Sequence, residues 1–180
     1  NHLETIVERV LGFSNRNHNT KTQNCLSTLV EESLSLVRLK LNQLKIDVSF
    51  DKPDSELCIE ANKGQIQQVI LNLIFNASQA ISKSGGAIHI KLFQDEQFAY
   101  FNIQDDGHGI PESIKDRIFE SFLTNRSEGT GLGLSIAKRI LASHRGSISL
   151  IKSDSEGTVF EFALPLSYCS ESSPSTAVSK

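Results

Sequence analysis

The chain has 180 residues, 38% hydrophobic and 22% charged, with 18 basic and 21 acidic side chains giving a net charge of −3. That suits a soluble globular domain with an appendage, and the lack of a basic stripe excludes nucleic acid as an expected partner. No apolar run nears the roughly 18 residues a membrane span requires, and no signal-peptide pattern is legible.

Met is absent even at position 1, so the chain is expected to be a piece of a larger protein, which would leave any upstream span unread. The expected location of this piece is the cytoplasm, with membrane anchoring of the parent left open. Cys25, Cys58 and Cys169 are isolated and lack C-x-x-C spacing. They are expected as free thiols rather than a zinc site or a disulfide framework. His2, His18, His89, His108 and His144 are scattered, without metal-ligand spacing.

Along residues 1–13, Leu3, Ile6, Val7, Val10 and Leu11 form one amphipathic helical stripe. Such a stripe needs a partner, most simply another helix of a bundle. Residues 14–24 are polar and read as a linker. Leu29, Val30, Leu34, Val37, Leu41 and Leu44 predict a second helix, with Ser27 as a candidate cap. Residues 46–50 and 57–60 predict two short strands around the turn 51–54.

Asn62 is a candidate cap for a third helix reaching about Ser82, with the stripe Ile66, Val69, Ile70, Leu73, Ile74, Ala77, Ala80 and Ile81. Ser84-Gly85-Gly86 is its stop signal. Residues 87–93 and 98–104 predict one hairpin, and residues 147–152 and 158–164 a second. A helix containing Leu134, Ile136, Ala137, Ile140 and Leu141 lies between them. From Ser167 to Lys180 the chain is Ser-rich and expected to be disordered. Together these elements predict an α+β two-layer sandwich, a mixed and mainly antiparallel sheet with helices on one face. The glycine turns would then face the sheet's open outer side.

Two glycine-rich turns carry the chemistry. Asp105-Asp106-Gly107-His108-Gly109-Ile110-Pro111 puts a carboxylate at the head of the first. Gly129-Thr130-Gly131-Leu132-Gly133 opens the helix that continues through Leu134. Glycine lets backbone approach a ligand closely, and a helix N-terminus offers unpaired N–H groups and positive dipole to an anion. The order suits a purine at one end and a polyphosphate at the other. On the third helix, Gln65, Gln68, Asn72, Asn76 and Gln79 lie opposite the apolar stripe, with Asn72 and Asn76 stacked four apart. Two readings of that face stand: a solvated polar surface, or amide oxygens suited to Mg²⁺.

Asn72-Leu73-Ile74-Phe75-Asn76-Ala77, Asp105-x-Gly107-x-Gly109, Phe119 to Phe122, Gly129-x-Gly131-x-Gly133 and Gly157-Thr158 occur in this order. The set resembles the catalytic, ATP-binding domain of sensor histidine kinases, within the superfamily that includes DNA gyrase, the Hsp90 chaperone and MutL. The resemblance covers about Leu26 to Pro165. The short lid from Phe122 to Gly129 is similar to that of the nitrogen-regulatory subgroup.

The resemblance implies a Bergerat-type fold and a division into residues 1–24 (end of a dimerisation helix and linker), 25–166 (catalytic domain) and 167–180 (tail). It implies ATP and Mg²⁺ as cofactors, Asn76 as the metal ligand and Asn72 assisting at the phosphates. Asp105, rather than its neighbour Asp106, would accept from the adenine amine. Gly107, Gly109 and Ile110 would line the base, with Thr158 supporting it. Thr130, Gly131, Leu132, Gly133 and Leu134 would cradle the phosphates. Phe119 and Phe122 would anchor the lid. Arg126 stands where the family often has a phosphate-binding lysine; a free surface charge is the equal alternative.

Hydrolytic relatives carry a glutamate at the place of Asn72, and an amide is no general base. The implied reaction is therefore transfer of the γ-phosphoryl group to a histidine. No His-Glu/Asp acceptor box is present, so the acceptor is expected on dimerisation helices outside this chain. A response regulator receiver domain and a homodimeric parent are the implied partners. An anti-sigma-type serine kinase and an ATP-hydrolysing clamp are the alternatives.

Overall fold

Strand alternation and helical stripes sort the apolar residues onto facing surfaces, and the architecture follows from joining them. The computed structural model describes residues 20–81, 85–120 and 131–167. In chain order these form β1 (Thr22–Cys25), α1 (Leu26–Gln43), β2 (Ile46–Asp51), β3 (Cys58–Ala61), α2 (Lys63–Ala80), β4 (Gly86–Gln94) and β5 (Phe98–Asp105). A 3-10 turn (Glu112–Arg117), α3 (Gly133–Ser143), β6 (Ser147–Asp154) and β7 (Gly157–Pro165) follow. The main sheet has the order β2-β4-β5-β7-β6. Only β2 and β4 pair in parallel; the hairpins β4–β5 and β6–β7 and the central pair β5–β7 are antiparallel.

Ile88, Ile90 and Leu92 of β4, Ala99, Phe101 and Ile103 of β5, and Phe160, Phe162 and Leu164 of β7 are buried. Successive strand side chains alternate between faces, so these sets share the face that α1, α2 and α3 cover. Phe101 and Phe162 stack with centroids 4.8 Å apart at the centre. The helices answer with Leu29, Val30 and Val37 of α1, Ile66, Val69, Ile70, Leu73, Ile74 and Ala77 of α2, and Ala137, Ile140 and Leu141 of α3. The predicted two-layer sandwich with a mixed sheet is thus the observed fold.

Several local expectations change. Thr22–Asn24, read as linker, belong to β1, which pairs antiparallel with β3. Their polar composition fits this two-stranded rim, where Thr22 and Gln23 stay exposed. Ser27 does not cap α1: the helix begins at Leu26 after Cys25, without a side-chain cap, and Ser27 is buried in its first turn. The N-cap N–H need is met differently, since Leu26 N–H donates to Leu57 O at 2.9 Å. Asn62 does cap α2, its Oδ1 accepting from Gln65 N–H at 3.0 Å.

Helix α2 stops at Ala80 rather than Ser82, with Ile81 already extended. Tertiary contact ends it: the free carbonyl of Ala80 accepts from His108 N–H at 3.2 Å. Cys25 is free, but Cys58 is disulfide-bonded, which corrects the expectation of a free thiol there. Isolated spacing carries no information on what a strand end meets in space. The stripe at residues 1–13 and the tail beyond Ser167 lie outside the described residues. Among the described residues, no helix is long and apolar enough to cross a membrane.

Phe101 is fully buried at the stacked pair. Phe101→Ala should lower unfolding stability by about 3–5 kcal/mol, read as a shift in the midpoint of chemical denaturation with unchanged slope.

Candidate functional site

Strand parity separates the two adjacent carboxylates. Asp105 ends β5 in phase with Phe101 and Ile103 and is only 4% exposed. It therefore points to the helix-covered side of the sheet. Thr158, its partner in register on β7, has the same phase and is 3% exposed. Asp106 is turned the other way and is spent on structure: its Oδ1 accepts from Ala87 N–H at 2.9 Å, pinning the turn to β4. The site lies at the helical layer, not on the sheet's open outer side as expected. The turn's position between hairpins suggested that side; the alternation within β5 overrides it.

The Asp105 carboxylate accepts from Gly107 N–H at 2.9 Å and from the backbone N–H of Thr158. Burial nonetheless raises its pKa above the ordinary carboxylate range; those two hydrogen bonds and nearby His108 act in the opposite direction, and Asp106 adds to the rise. A buried, under-solvated carboxylate seeks further donors, and an exocyclic amine facing it is such a donor.

The first glycine turn is wedged between elements. Gly107 packs directly on the backbone of Ala80 at the end of α2. Gly109 has φ +71°, and a Cβ there would lie 2.0 Å from Asp154 O, so no side chain fits. Ile110 leans on the core, and its N–H donates to Ser153 Oγ at 2.8 Å. Ser153 Oγ is in turn 3.1 Å from Thr158 Oγ1. Ser153 was not legible as a site residue; its bond to Ile110 joins positions 43 apart. The hydroxyl pair on β6 and β7 thus fixes the turn that carries Gly109 and Ile110.

At the second turn, Gly131 has φ +64°, a left-handed conformation that favours glycine. Leu132 precedes α3, and no side chain caps the helix there. Among the described residues the first N–H groups at Gly133 and Leu134 have no capping side chain, which suits them to an anion. Gly133 O accepts from Asn72 Nδ2 at 3.1 Å. Asn72 thus holds the cradle itself, a role only a donor can play; a glutamate would set a negative oxygen against that carbonyl. Asn76, one turn further along α2, is half-buried and makes no side-chain hydrogen bond among the described residues. Its free oxygen fits a cation that takes one protein ligand and keeps several waters.

Phe119 meets Phe160 edge-on at 6.4 Å, with Lys138 Nζ 5.5 Å above its ring. That agrees with an anchoring role rather than ligand contact. Arg126, Thr130, Phe122 and Gly129 lie outside the described residues. The structure therefore joins Asn72 to Gly133 in the run Gly131, Leu132, Gly133 and Leu134, with Asn76 one turn along α2 from Asn72. It gathers Asp105, Gly107, Gly109, Ile110 and Thr158 at the sheet end of the same helical layer.

Residues 61–168 match the model of the histidine kinase-, DNA gyrase B-, and HSP90-like ATPase family. The chain belongs to this family. ATP binding is implied by that membership. Within the family, the catalytic domain of histidine kinase ThkA superposes with a TM-score of 0.74 at 33% identity, over 81% of this chain and 95% of that one. The chain is therefore a catalytic domain of the sensor histidine kinase branch. ThkA in complex with response regulator protein TrrA gives a TM-score of 0.73 at 31% identity, covering 92% of this chain and 48% of that one. Among curated relatives, the signal transduction histidine-protein kinase AtoS of Escherichia coli (strain K12) is 37% identical over 91% of this chain. Sporulation kinase A of Bacillus subtilis (strain 168) is 32% identical over 91% of it. The chain spans 27% of the length of each of these two proteins.

Asp105→Asn separates charge from shape in this histidine kinase domain. Because burial raises the folded-state pKa, the ionised carboxylate lowers stability above the unfolded pKa of about 4. The variant should melt at or above the parental temperature at pH 7.5, with the difference shrinking as pH falls toward about 4 and both states take up the proton. With Asp105 as the expected acceptor for the adenine amine, the amide would present a donor there, and ATP affinity should fall by more than about tenfold in calorimetry.

Proposed function

We propose that this domain binds Mg-ATP between α2 and α3 and passes the γ-phosphoryl group to a histidine on dimerisation helices of a longer, homodimeric protein. The phosphoryl group then goes to the receiver domain of a response regulator, a partner class supported by the ThkA–TrrA complex. In this reading the base stands against Asp105, with Gly107, Gly109 and Ile110 along its edge and Thr158 behind it. The phosphates lie on the N–H groups from Gly131 to Leu134, and Thr130 and Arg126 would be further phosphate contacts in this reading. A cytoplasmic location, where ATP is supplied, is part of this proposal.

The observation that carries the choice of transfer over hydrolysis is the bond from Asn72 Nδ2 to Gly133 O. The side chain at this place is a donor committed to the cradle, with no basic oxygen left to activate water. Asn76 would hold Mg²⁺, which when bound neutralises charge on the phosphates. The domain's own part is positioning and electrostatic support of an in-line displacement.

Incubation with γ-labelled ATP, Mg²⁺ and a histidine-bearing helical acceptor should give acid-labile, base-stable label on the acceptor. Acid-stable label would instead indicate a hydroxyl acceptor and overturn the reading. Asn76→Ala should keep the fold, by its circular dichroism spectrum, yet slow label transfer by about a hundredfold or more.

A further inference from the structure

His144 is buried, 4% exposed, and lies at the end of α3 remote from the phosphate cradle at its start. Its two ring nitrogens have different partners. Nδ1 lies 2.8 Å from Ile140 O and 3.1 Å from Ser143 Oγ. Nε2 accepts from Asn62 N–H at 3.0 Å. A carbonyl only accepts and a backbone amide only donates, so the ring is the neutral tautomer with hydrogen on Nδ1. Burial is the main influence lowering the pKa of the ring, in keeping with that neutral form.

Asn62 is the N-cap of α2. Ten residues on, about 15 Å along the helix, Asn72 donates to Gly133 O at the start of α3. From Gly133, eleven residues of α3 lead back to His144. Helices α2 and α3 therefore run antiparallel and are joined by a hydrogen bond at each end. One joint is at the nucleotide end and the other at His144. Packing of Ala137, Ile140 and Leu141 holds α3 on the core, and the second joint sets its register along α2.

We propose that His144 is a positioning residue for the nucleotide site: its bond to Asn62 holds α3 in register along α2 and so aims the N–H groups of Gly131 to Leu134 at the phosphates. The proposal rests on the reading of the site given above. His144 itself touches no substrate.

Two variants isolate the joint. His144→Asn keeps a donor for Ile140 O but is too short to reach Asn62. His144→Gln reaches Asn62 with an accepting oxygen. Calorimetry with ADP and Mg²⁺, well below the melting temperature of each protein, should show affinity lowered about tenfold in the Asn variant and restored to within about threefold of the parent by Gln. A folded Asn variant with parental affinity, even if less stable, overturns the proposal, as does a folded Gln variant as weak as Asn.

The unaltered protein supplies a measurement that no folding failure can remove. Coupling is reciprocal, so saturating ADP and Mg²⁺ should slow hydrogen exchange at the Asn62 amide about tenfold. Unchanged exchange at Asn62, with ADP demonstrably bound, overturns the proposal while leaving nucleotide binding intact. Absence of ADP binding by the unaltered protein overturns the site reading and the proposal with it.

Discussion

The constraint on which the rest depends is the two-sidedness of α2. Its residues Ile66, Val69, Ile70, Leu73, Ile74 and Ala77 have to leave water, and the sheet is the surface that receives them. Each of these side chains except that of Ala77 contributes on the order of 1.5–3 kcal/mol when fully buried. Rotation of α2 about its axis would therefore be strongly disfavoured. The same orientation fixes where Asn72 and Asn76 point. Packing of the apolar stripe and placement of the amides are one event, so the site is assembled by the core.

Both ends of α2 are finished by tertiary partners. At the start, Asn62 caps the helix and meets His144. At the end, Ala80 receives the His108 N–H and supports Gly107. The turn that presents Asp105 is thereby attached to the helix that presents the asparagines. A carboxylate held in so dry a place is not favourable for folding in itself. Its two backbone donors offset part of the cost and leave the remaining accepting capacity for a ligand.

Much of this was legible in the sequence where local rules act alone. The Asn62 cap, the stripe of α2 and the two hairpins follow from periodicity and cap chemistry. What was not legible depends on distant pairing. Thr22–Asn24 look like linker because a short rim strand needs no apolar alternation. Ser27 has a capping side chain, but the helix begins one residue before it and buries it. Ser153 and His144 act across 43 and 82 residues of chain, beyond any local window. Connectivity between the hairpins points the first glycine turn to the outer side of the sheet, whereas the parity of Asp105 with Phe101 and Ile103 points it to the helical side.

Gly157 sits at the tip of the β6–β7 hairpin, and a Cβ added there would fall 1.8 Å from Asp105 O. With φ at +138° as well, the position admits no other residue without displacing that strand end. A side chain at 157 would press on the backbone of Asp105 and shift the strand end that carries its carboxylate, so the barest residue of the hairpin sets how closely β7 can approach β5.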